Sequence, residues 1–511
     1  MNTAIVAVCF IATVIAASRW LRVAQREHYL AGSVTRFARR WWSAGQLNQV
    51  LVLALVAAML SSFSVPWMAL AAAVVIVTAP VGLTLKGRTS KLSWTRRLKT
   101  LAIVAAVIDA GLFVLSALTD RGPALAAALC FLPPVVIDLA LAITAPFERR
   151  AARAHVRSAT ARLRAVRPVT IAITGSYGKT STKQYVRHLL AGHRSVLASP
   201  ASFNNTNGLS RTLNDHLTPG TDVFIAEMGT YGPGEIRAMC SWVQPSIAAI
   251  VNIGPVHLER MRSLDGVVAA KSEIAASAST IVLNVSAHGL AQLADRLESA
   301  GQRVVRVATD VVGPGADRAI DVIVHRDGDE LVVTAGDTTV ARVVSAAQPA
   351  NVAAALGLVL AVGLTLDDVA PRLSTLPQPE HRQEVQRSDA GVVVIDNTFS
   401  SNPASARSSL DLLHRISGPA RRHVVVTPGM VELGPLQFEE NRLFAIEVDD
   451  VATDLVIVGL TNRRALVAGA ARRDVQVHLA GTRDEAVAWV RATLTDGDTV
   501  LYENDLPDHY P

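Results

Sequence analysis

The chain has 511 residues, half of them hydrophobic, with 49 lysines and arginines against 43 aspartates and glutamates and a net charge of +6. That length allows two to four domains. The cysteines, Cys9, Cys130 and Cys240, have the spacing of neither a disulfide framework nor a metal cluster, which fits a reducing compartment. The basic excess does not indicate nucleic acid, because the arginines cluster beside apolar segments.

The first 150 residues carry five apolar stretches, about Thr3–Ala17, Leu47–Val65, Pro66–Leu85, Leu101–Leu118 and Ala124–Phe147. Most approach the roughly 20 residues that cross a bilayer as a helix. They are expected to form a transmembrane α-helical domain, with the lipid bilayer as a partner. The first has no charged region ahead of it and does not read as a signal peptide. Arg19, Arg22, Arg26, Arg36, Arg39 and Arg40 separate the first two stretches, and Lys86, Arg88, Lys91, Arg96, Arg97 and Lys99 the third and fourth. Basic loops stay cytoplasmic, so the expectation is a multi-pass protein of the cytoplasmic (inner) membrane. Its N-terminus would lie outside, and everything after residue 148 inside, with ATP. Trp41, Trp42, Trp67 and Trp94 fall near the expected interfaces. Asp109 and Asp138 lie within apolar stretches, where a functional carboxylate and a satisfied helix–helix contact are both open readings.

An arginine- and alanine-rich helical link follows at Ala151–Arg167. The apolar run Val169–Ile173 then reads as a buried strand entering Thr174-Gly-Ser-Tyr-Gly-Lys-Thr-Ser181, with helical spacing beyond. Strand, glycine turn, lysine, hydroxyl and helix make a phosphate cradle: backbone N–H groups close on phosphate, Lys179 meets the outer phosphates and Thr180 can hold Mg²⁺. The first glycine of the usual pattern is replaced by Ile173. Ser199–Leu213 is a polar loop entering a helix, and Asp222–Gly229 is a strand carrying Glu227, a carboxylate suited to Mg²⁺. Ser246–Val251 is a strand leading to Asn252-Ile-Gly-Pro-Val-His-Leu-Glu259, a helix carries Lys271, and Ile281–Val285 is a strand. This alternation predicts a parallel α/β sheet with ligands at the strand C-termini, where Thr180, Glu227 and His257 fall. Ala316–Val344 reads as an antiparallel insertion and Asn351–Leu364 as a helix. After a linker at Leu373–Pro379, strands at Gly391–Ile395, Arg422–Thr427, Asp454–Gly459, Val475–Leu479 and Thr499–Tyr502 predict a smaller Rossmann-like α/β domain. The expected division is residues 1–150, 151–375 and 376–511.

Residues 165–511 resemble the Mur ligases, which add amino acids or dipeptides to peptidoglycan precursors, and most closely their D-alanyl-D-alanine-adding branch. Thr174–Ser181 resembles the family's shortened phosphate loop, and Asn204-Asn-Thr-Asn-Gly208 its loop beside the acyl substrate. Glu227 matches a Mg²⁺-binding glutamate, His257 a metal-site histidine, and Lys271 the position of a carbamylated lysine. Asn351 takes an adenine-contacting position and Arg382 a nucleotide-contacting one. Ile395-Asp-Asn-Thr-Phe-Ser-Ser-Asn-Pro403 resembles Asp-Asp-Ser-Tyr-Asn-Ala-Asn-Pro, with Asn397 and Ser400 as departures. The larger departure is the apolar region standing where the family has a UDP-binding domain.

The resemblance implies an ATP- and Mg²⁺-dependent carboxylate–amine ligase that works through an acyl phosphate. ATP would rest on Gly175, Ser176, Gly178, Lys179, Thr180 and Ser181, with Asn351, Arg382, Asp396 and Asn397 completing the nucleotide site. Mg²⁺ would lie among Thr180, Glu227, His257 and carbamylated Lys271; Lys179, His257 and Lys271 would be catalytic; Asn204 and Asn205 would face the substrate. The acceptor carboxylate is expected on a lipid-linked or envelope precursor, and the amine on an amino acid or dipeptide. The alternatives are a synthase similar to poly-γ-glutamate synthase and a non-catalytic nucleotide-binding membrane scaffold.

Overall fold

The computed structural model describes the chain except residues 1, 28, 44–45, 84–91, 257, 310–318, 379–382, 400, 419–420, 472–473 and 506–511, and except the side chain of Glu259. It divides into two compact units, one built on residues 1–151 and one on residues 152–505.

The first unit is helical. Its helices are Asn2–Arg26, Ser33–Ser43, Gln46–Ser61, Met68–Thr78, Arg96–Ala117, Gly122–Leu129 and the start of Pro133–Val166. One core cluster gathers Trp20, Phe37, Trp41, Leu98 and Ile137, and a second gathers Cys9, Leu55, Ile76, Phe113 and Cys130. Among the described residues the expected five spans are not seen as five long apolar helices. Among the described residues two helices, Asn2–Arg26 and Arg96–Ala117, are long and apolar enough to cross a membrane, or up to four if each of two bent helix pairs is one span. Turns at residues 62–67 and the end of helix at Thr78, two residues before Pro80, cut the second and third stretches into helices of 16 and 11 residues. Asp138 has a structural partner: its carboxylate accepts the N–H groups of Val34 (3.3 Å) and Thr35 (2.8 Å), capping the start of the helix Ser33–Ser43 from a neighbouring helix.

The second unit holds two sheets. The larger is formed by β1 (Val169–Thr174), β2 (Val196–Ala198), β3 (Val223–Glu227), β4 (Ile247–Ile250), β5 (Thr280–Asn284), β6 (Arg303–Ala308), β7 (Val322–Asp327), β8 (Glu330–Ala335) and β9 (Thr338–Val344). Their order is β2-β3-β1-β4-β5-β6-β7-β8-β9. Pairing is parallel as far as β7, and β7–β9 form an antiparallel meander, so the predicted insertion extends the same sheet. β2 and β6 were not anticipated by the sequence pattern. Side chains alternate between two cores: Ile171 and Ile173 face one, Ala172 the other. Such burial on both faces is what a parallel sheet requires.

The helix Pro349–Val362 packs into the core on the Ile171 face and carries Asn351 to the loop after β1. Proline in its first turn and Gly363 at φ +94° after its last residue set its ends. It is apolar all round because it is buried all round.

The smaller sheet has β10 (Glu384–Arg387), β11 (Val393–Asn397), β12 (His423–Thr427), β13 (Asp454–Val458), β14 (Gln476–Ala480) and β15 (Thr499–Glu503), in the order β10-β11-β15-β12-β13-β14. β10 is an antiparallel edge strand that the sequence reading lacked; the others are parallel. β15 enters between β11 and β12, which makes the C-terminal ends of these strands a crevice of the kind that binds ligands. The two sheets meet through side chains: Gln348 Nε2 donates to Gln383 Oε1 (3.2 Å), and Gln383 Nε2 donates to Ser408 Oγ (2.9 Å).

A Cβ on Gly357 would lie 2.6 Å from Val282 Cγ1 and 2.7 Å from Val307 Cγ1. Gly357→Val should therefore destabilise the second unit by about 1–3 kcal/mol through overpacking, measured as a lowered urea midpoint at unchanged slope.

Candidate active site

β1 delivers the chain to Gly175–Gly178, and the helix Lys179–Leu190 starts directly behind. Gly178 stands at φ +84°, and a Cβ there would lie 2.0 Å from Asn351 Oδ1 and 3.0 Å from Val251 Cγ1. Only glycine meets both constraints. The segment after β4 braces the loop. Ser176 N–H donates to the Asn252 carbonyl (2.9 Å), and Ser176 Oγ donates to the Gly254 carbonyl (3.1 Å) while accepting from the Gly254 N–H (2.9 Å). The Tyr177 hydroxyl donates to the Ile253 carbonyl (3.4 Å). Ser181 is buried in the first turn of the helix. A glycine loop at a helix N-terminus, braced by the backbone and side chain of Ser176 and by the Tyr177 hydroxyl, has the geometry that suits a phosphate.

Two lysines converge on this loop. Lys179 Nζ donates to the Gly175 carbonyl at 2.8 Å, and Lys271 Nζ donates to the same oxygen at 2.9 Å. Lys271 is buried, and burial first, with repulsion from Lys179 second, holds its amine well below the usual lysine range.

Across the strand ends, Glu227 closes β3 and is 1% exposed. Its Oε2 accepts from Thr180 Oγ1 (3.0 Å) and Lys183 Nζ (2.9 Å), and its Oε1 from Asn204 Nδ2 (3.5 Å). Buried carboxylate and hydroxyl oxygens suit Mg²⁺, which takes one or two protein carboxylates and fills its shell with phosphate oxygens and water. Among the described residues no group of three or more His, Cys, Asp or Glu side chains could hold a metal. His257 and Arg382 lie outside the described residues. Asn205 caps the helix Thr206–His216, accepting the Gly208 N–H at 2.9 Å.

Asp396 and Asn397 sit in the other sheet, at the end of β11. Asp396 Oδ1 accepts from the Thr398 N–H (3.0 Å) and hydroxyl (2.6 Å). Asn397 is buried and donates through Nδ2 to Ser405 Oγ (3.1 Å) and to Glu503 Oε2 (2.8 Å), its register partner on β15. Glu503, 1% exposed, also accepts from Ser401 Oγ (2.5 Å). Burial raises its carboxyl to about 7, against the lowering effect of hydrogen bonds from Ser401, Asn397 and Ser409. The amide at 397 thus matches a carboxylate that sequence reading did not connect with it. Burial raises the Tyr177 hydroxyl of the phosphate loop above its usual range, and the charge of Arg407, in the helix after Asn402, opposes that shift.

Lys183 and Glu503 were both missed. A second lysine four residues after Lys179, on the same helical side, was the available signal for the first. A carboxylate directly after the final strand run Thr499–Tyr502 was the signal for the second.

With this fold and cradle in view, the chain belongs to the Mur ligase family, whose members are ATP-dependent acid–amino-acid ligases. The Mur ligase middle domain matches residues 173–359, and the Mur ligase glutamate ligase domain matches residues 381–502. The chain is 32% identical over 366 residues to the UDP-N-acetylmuramoyl-tripeptide–D-alanyl-D-alanine ligase of Mycobacterium leprae, covering 65% of this chain and 70% of that one. It is 31% identical over 367 residues to the Mycobacterium tuberculosis (strain H37Rv) enzyme of the same name, covering 65% and 69%. In fold it is similar to MurF from Acinetobacter baumannii (TM-score 0.59, 23% identity, 69% of this chain and 77% of that one). It is also similar to MurF from Thermotoga maritima in complex with ADP (TM-score 0.58, 22% identity, 69% and 80%).

These relatives correct the expected localisation. They are ligases named for a UDP-linked substrate, and the N-terminal helices of this chain are not shown to span a membrane. The placement as a multi-pass inner-membrane protein with its N-terminus outside is therefore withdrawn, and with it the bilayer and the lipid-linked acceptor as partners.

Gly178→Ala should weaken nucleotide binding at least tenfold, read by isothermal titration with ADP, because the added carbon meets Asn351. The raised pKa of Glu503 makes its contribution to stability fully present below the ordinary carboxyl range and lost as pH rises to about 7. The loss is on the order of 3 kcal/mol, and Glu503→Gln should abolish that pH-dependent component in denaturant titrations. Asn397→Asp would set a second carboxylate beside Glu503 and should lower stability by about 2 kcal/mol or more at pH 8, with Glu503→Gln restoring most of it.

Proposed function

We propose that this chain joins the amine of an amino acid or dipeptide to a carboxylate on a peptidoglycan precursor of the UDP-linked kind named for its relatives. The observation that carries the reading is the meeting of Lys179 and Lys271 at the Gly175 carbonyl, beside the Thr180–Glu227 contact. ATP would supply the phosphoryl group that converts the acceptor carboxylate into an acyl phosphate, and Mg²⁺, held at Thr180 and Glu227, would supply positive charge for the phosphate oxygens. The amine then attacks the acyl carbon, phosphate leaves, and an amide remains.

In this reading Lys179 turns from the Gly175 carbonyl to the outer phosphates, and the first turn of its helix, with Gly175, Ser176, Gly178 and Ser181, holds them by N–H donors. Thr180 and Glu227, with His257 by its place in the motif, would hold the metal. Asn351 lies at the adenine side, Arg382, Asp396 and Asn397 belong to the nucleotide side of the C-terminal domain, and Asn204 and Asn205 shape the acyl side. Within this reading the chain is divided at about residues 150 and 375. Asn397 offers no support for a non-catalytic scaffold, because its amide is engaged by Glu503. The named substrate of the relatives favours a precursor ligase over a poly-amino-acid synthase.

Lys271 takes the role of a carbamate. Its neutral amine adds to carbon dioxide, a C–N bond forms and a proton leaves, giving an anion that suits Mg²⁺ where an ammonium would repel it. The depressed basicity of Lys271 supports this by providing the neutral amine at physiological pH.

The test is ADP release by the purified full chain supplied with ATP, Mg²⁺, UDP-N-acetylmuramoyl-tripeptide and D-alanyl-D-alanine. Release that depends on both acceptor and amine is expected, and release independent of them would overturn the reading. Lys179→Ala should lower turnover by about two orders of magnitude or more. Lys271→Ala should lose ligation yet keep ADP binding, and millimolar acetate or formate should restore part of the rate. Full activity in Lys271→Ala would exclude the carbamate.

A further inference from the structure

Lys183 lies one turn beyond Lys179 on the same helix, yet it serves a different partner set. Its side chain is 3% exposed, and Nζ lies 2.9 Å from Glu227 Oε2. The same ammonium donates to the carbonyl of Ala201. Ala201 stands in the left-handed region at φ +41°, a conformation that a non-glycine residue keeps only when its surroundings hold it. It belongs to the loop Ser199–Asn205, which meets the β3 end at three further points. Ser199 Oγ accepts from the Glu227 N–H (3.3 Å), Asn204 Nδ2 donates to Glu227 Oε1 (3.5 Å), and the Asn204 carbonyl accepts from the Gly229 N–H (2.8 Å).

One buried cation therefore bridges a carboxylate and a strained loop. A desolvated ion pair is weak evidence for stability, since a well-packed apolar pair would serve as well. Its position explains more. The ammonium neutralises Glu227 on the Oε2 side, so a divalent cation arriving beside Thr180 meets a weakened negative potential. A cation seated there repels the ammonium in turn, away from Oε2, and leaves the Ala201 carbonyl as its chief partner. Metal occupancy and loop order are then linked, and linkage acts equally in both directions.

We propose, resting on the assignment of Glu227 to the metal, that Lys183 is a positioning residue that couples occupancy of the metal site to the order of the loop Ser199–Asn205. The loop carries Asn204, so the coupling prepares the acyl side of the site when metal and nucleotide are bound.

The experiment uses the full chain, Mn²⁺ with the non-hydrolysable analogue AMPPNP, and two readouts other than turnover: free Mn²⁺ by electron paramagnetic resonance, and hydrogen exchange of peptides covering residues 199–208. In the parent, Mn²⁺·AMPPNP should slow exchange of the loop about tenfold. In Lys183→Met the loop should exchange about tenfold faster without ligand and no longer respond to it, while Mn²⁺·AMPPNP binds about 3- to 10-fold more tightly. The opposite signs separate positioning from simple damage. Because Lys183→Met leaves Glu227 buried and uncompensated, Lys183→Met/Glu227→Gln removes both charges and keeps the fold testable. Its loop should still exchange fast, since the Ala201 carbonyl has lost its donor. Parental loop exchange in both variants, or unchanged or weaker Mn²⁺·AMPPNP binding in Lys183→Met, overturns the proposal. Parental Mn²⁺·AMPPNP binding by Glu227→Gln alone would remove the metal assignment instead, and the metal-free loop exchange distinguishes that failure from this one.

Discussion

Two amine groups share one carbonyl oxygen at Gly175, and the rest of the large sheet is arranged so that they can. Like charges at that separation repel, and the repulsion is relieved either by keeping the buried member neutral or by bringing an anion between them. The loop therefore has a built-in demand for negative charge. Glycine at 178 leaves room for the Asn351 amide, the segment after β4 holds the loop from beneath, and the buried helix Pro349–Val362 holds Asn351. A rigid parallel sheet supplies the register that all of these contacts assume.

The acidic side of the site is organised by the opposite constraint. Glu227 is buried at a strand end, and its charge is met by a hydroxyl, an ammonium and an amide from three separate segments. In the smaller sheet, the donors that Glu503 meets among the described residues are an amide and serine hydroxyls, and burial raises its carboxyl to about 7 against them. Two buried glutamates at two strand ends are thus handled by different chemistry: one by charge, the other by neutral donors.

Much of this was legible before any coordinates. The periodicity of Val169–Ile173 and the turn chemistry of Gly175–Gly178 define a strand, a loop and a helix by local rules, and the spacing of the later strands in the smaller sheet follows the same logic. Local rules fail where the answer depends on a distant partner. β2 has only three residues and no pattern of its own, and it exists because β3 lies beside it. Lys183 reads as an ordinary helical lysine until Glu227 and Ala201 are placed around it. The apolar N-terminal stretches show the reverse error: hydropathy alone carried the third stretch, Pro66–Leu85, past the end of its helix at Thr78, two residues before Pro80.

The pairing of Asn397 with Glu503 also constrains how such a sequence can change over generations. The family pattern places an aspartate at the position of Asn397, and an aspartate there would face a glutamate already buried on the neighbouring strand. A substitution at one position changes the environment of the other. A lineage can exchange which strand bears the carboxylate only by passing through a form with two acids or with none, and the form with none is the milder, since it buries neutral groups. The two sites lie 106 residues apart in sequence, yet a change of charge at either is met directly by the other.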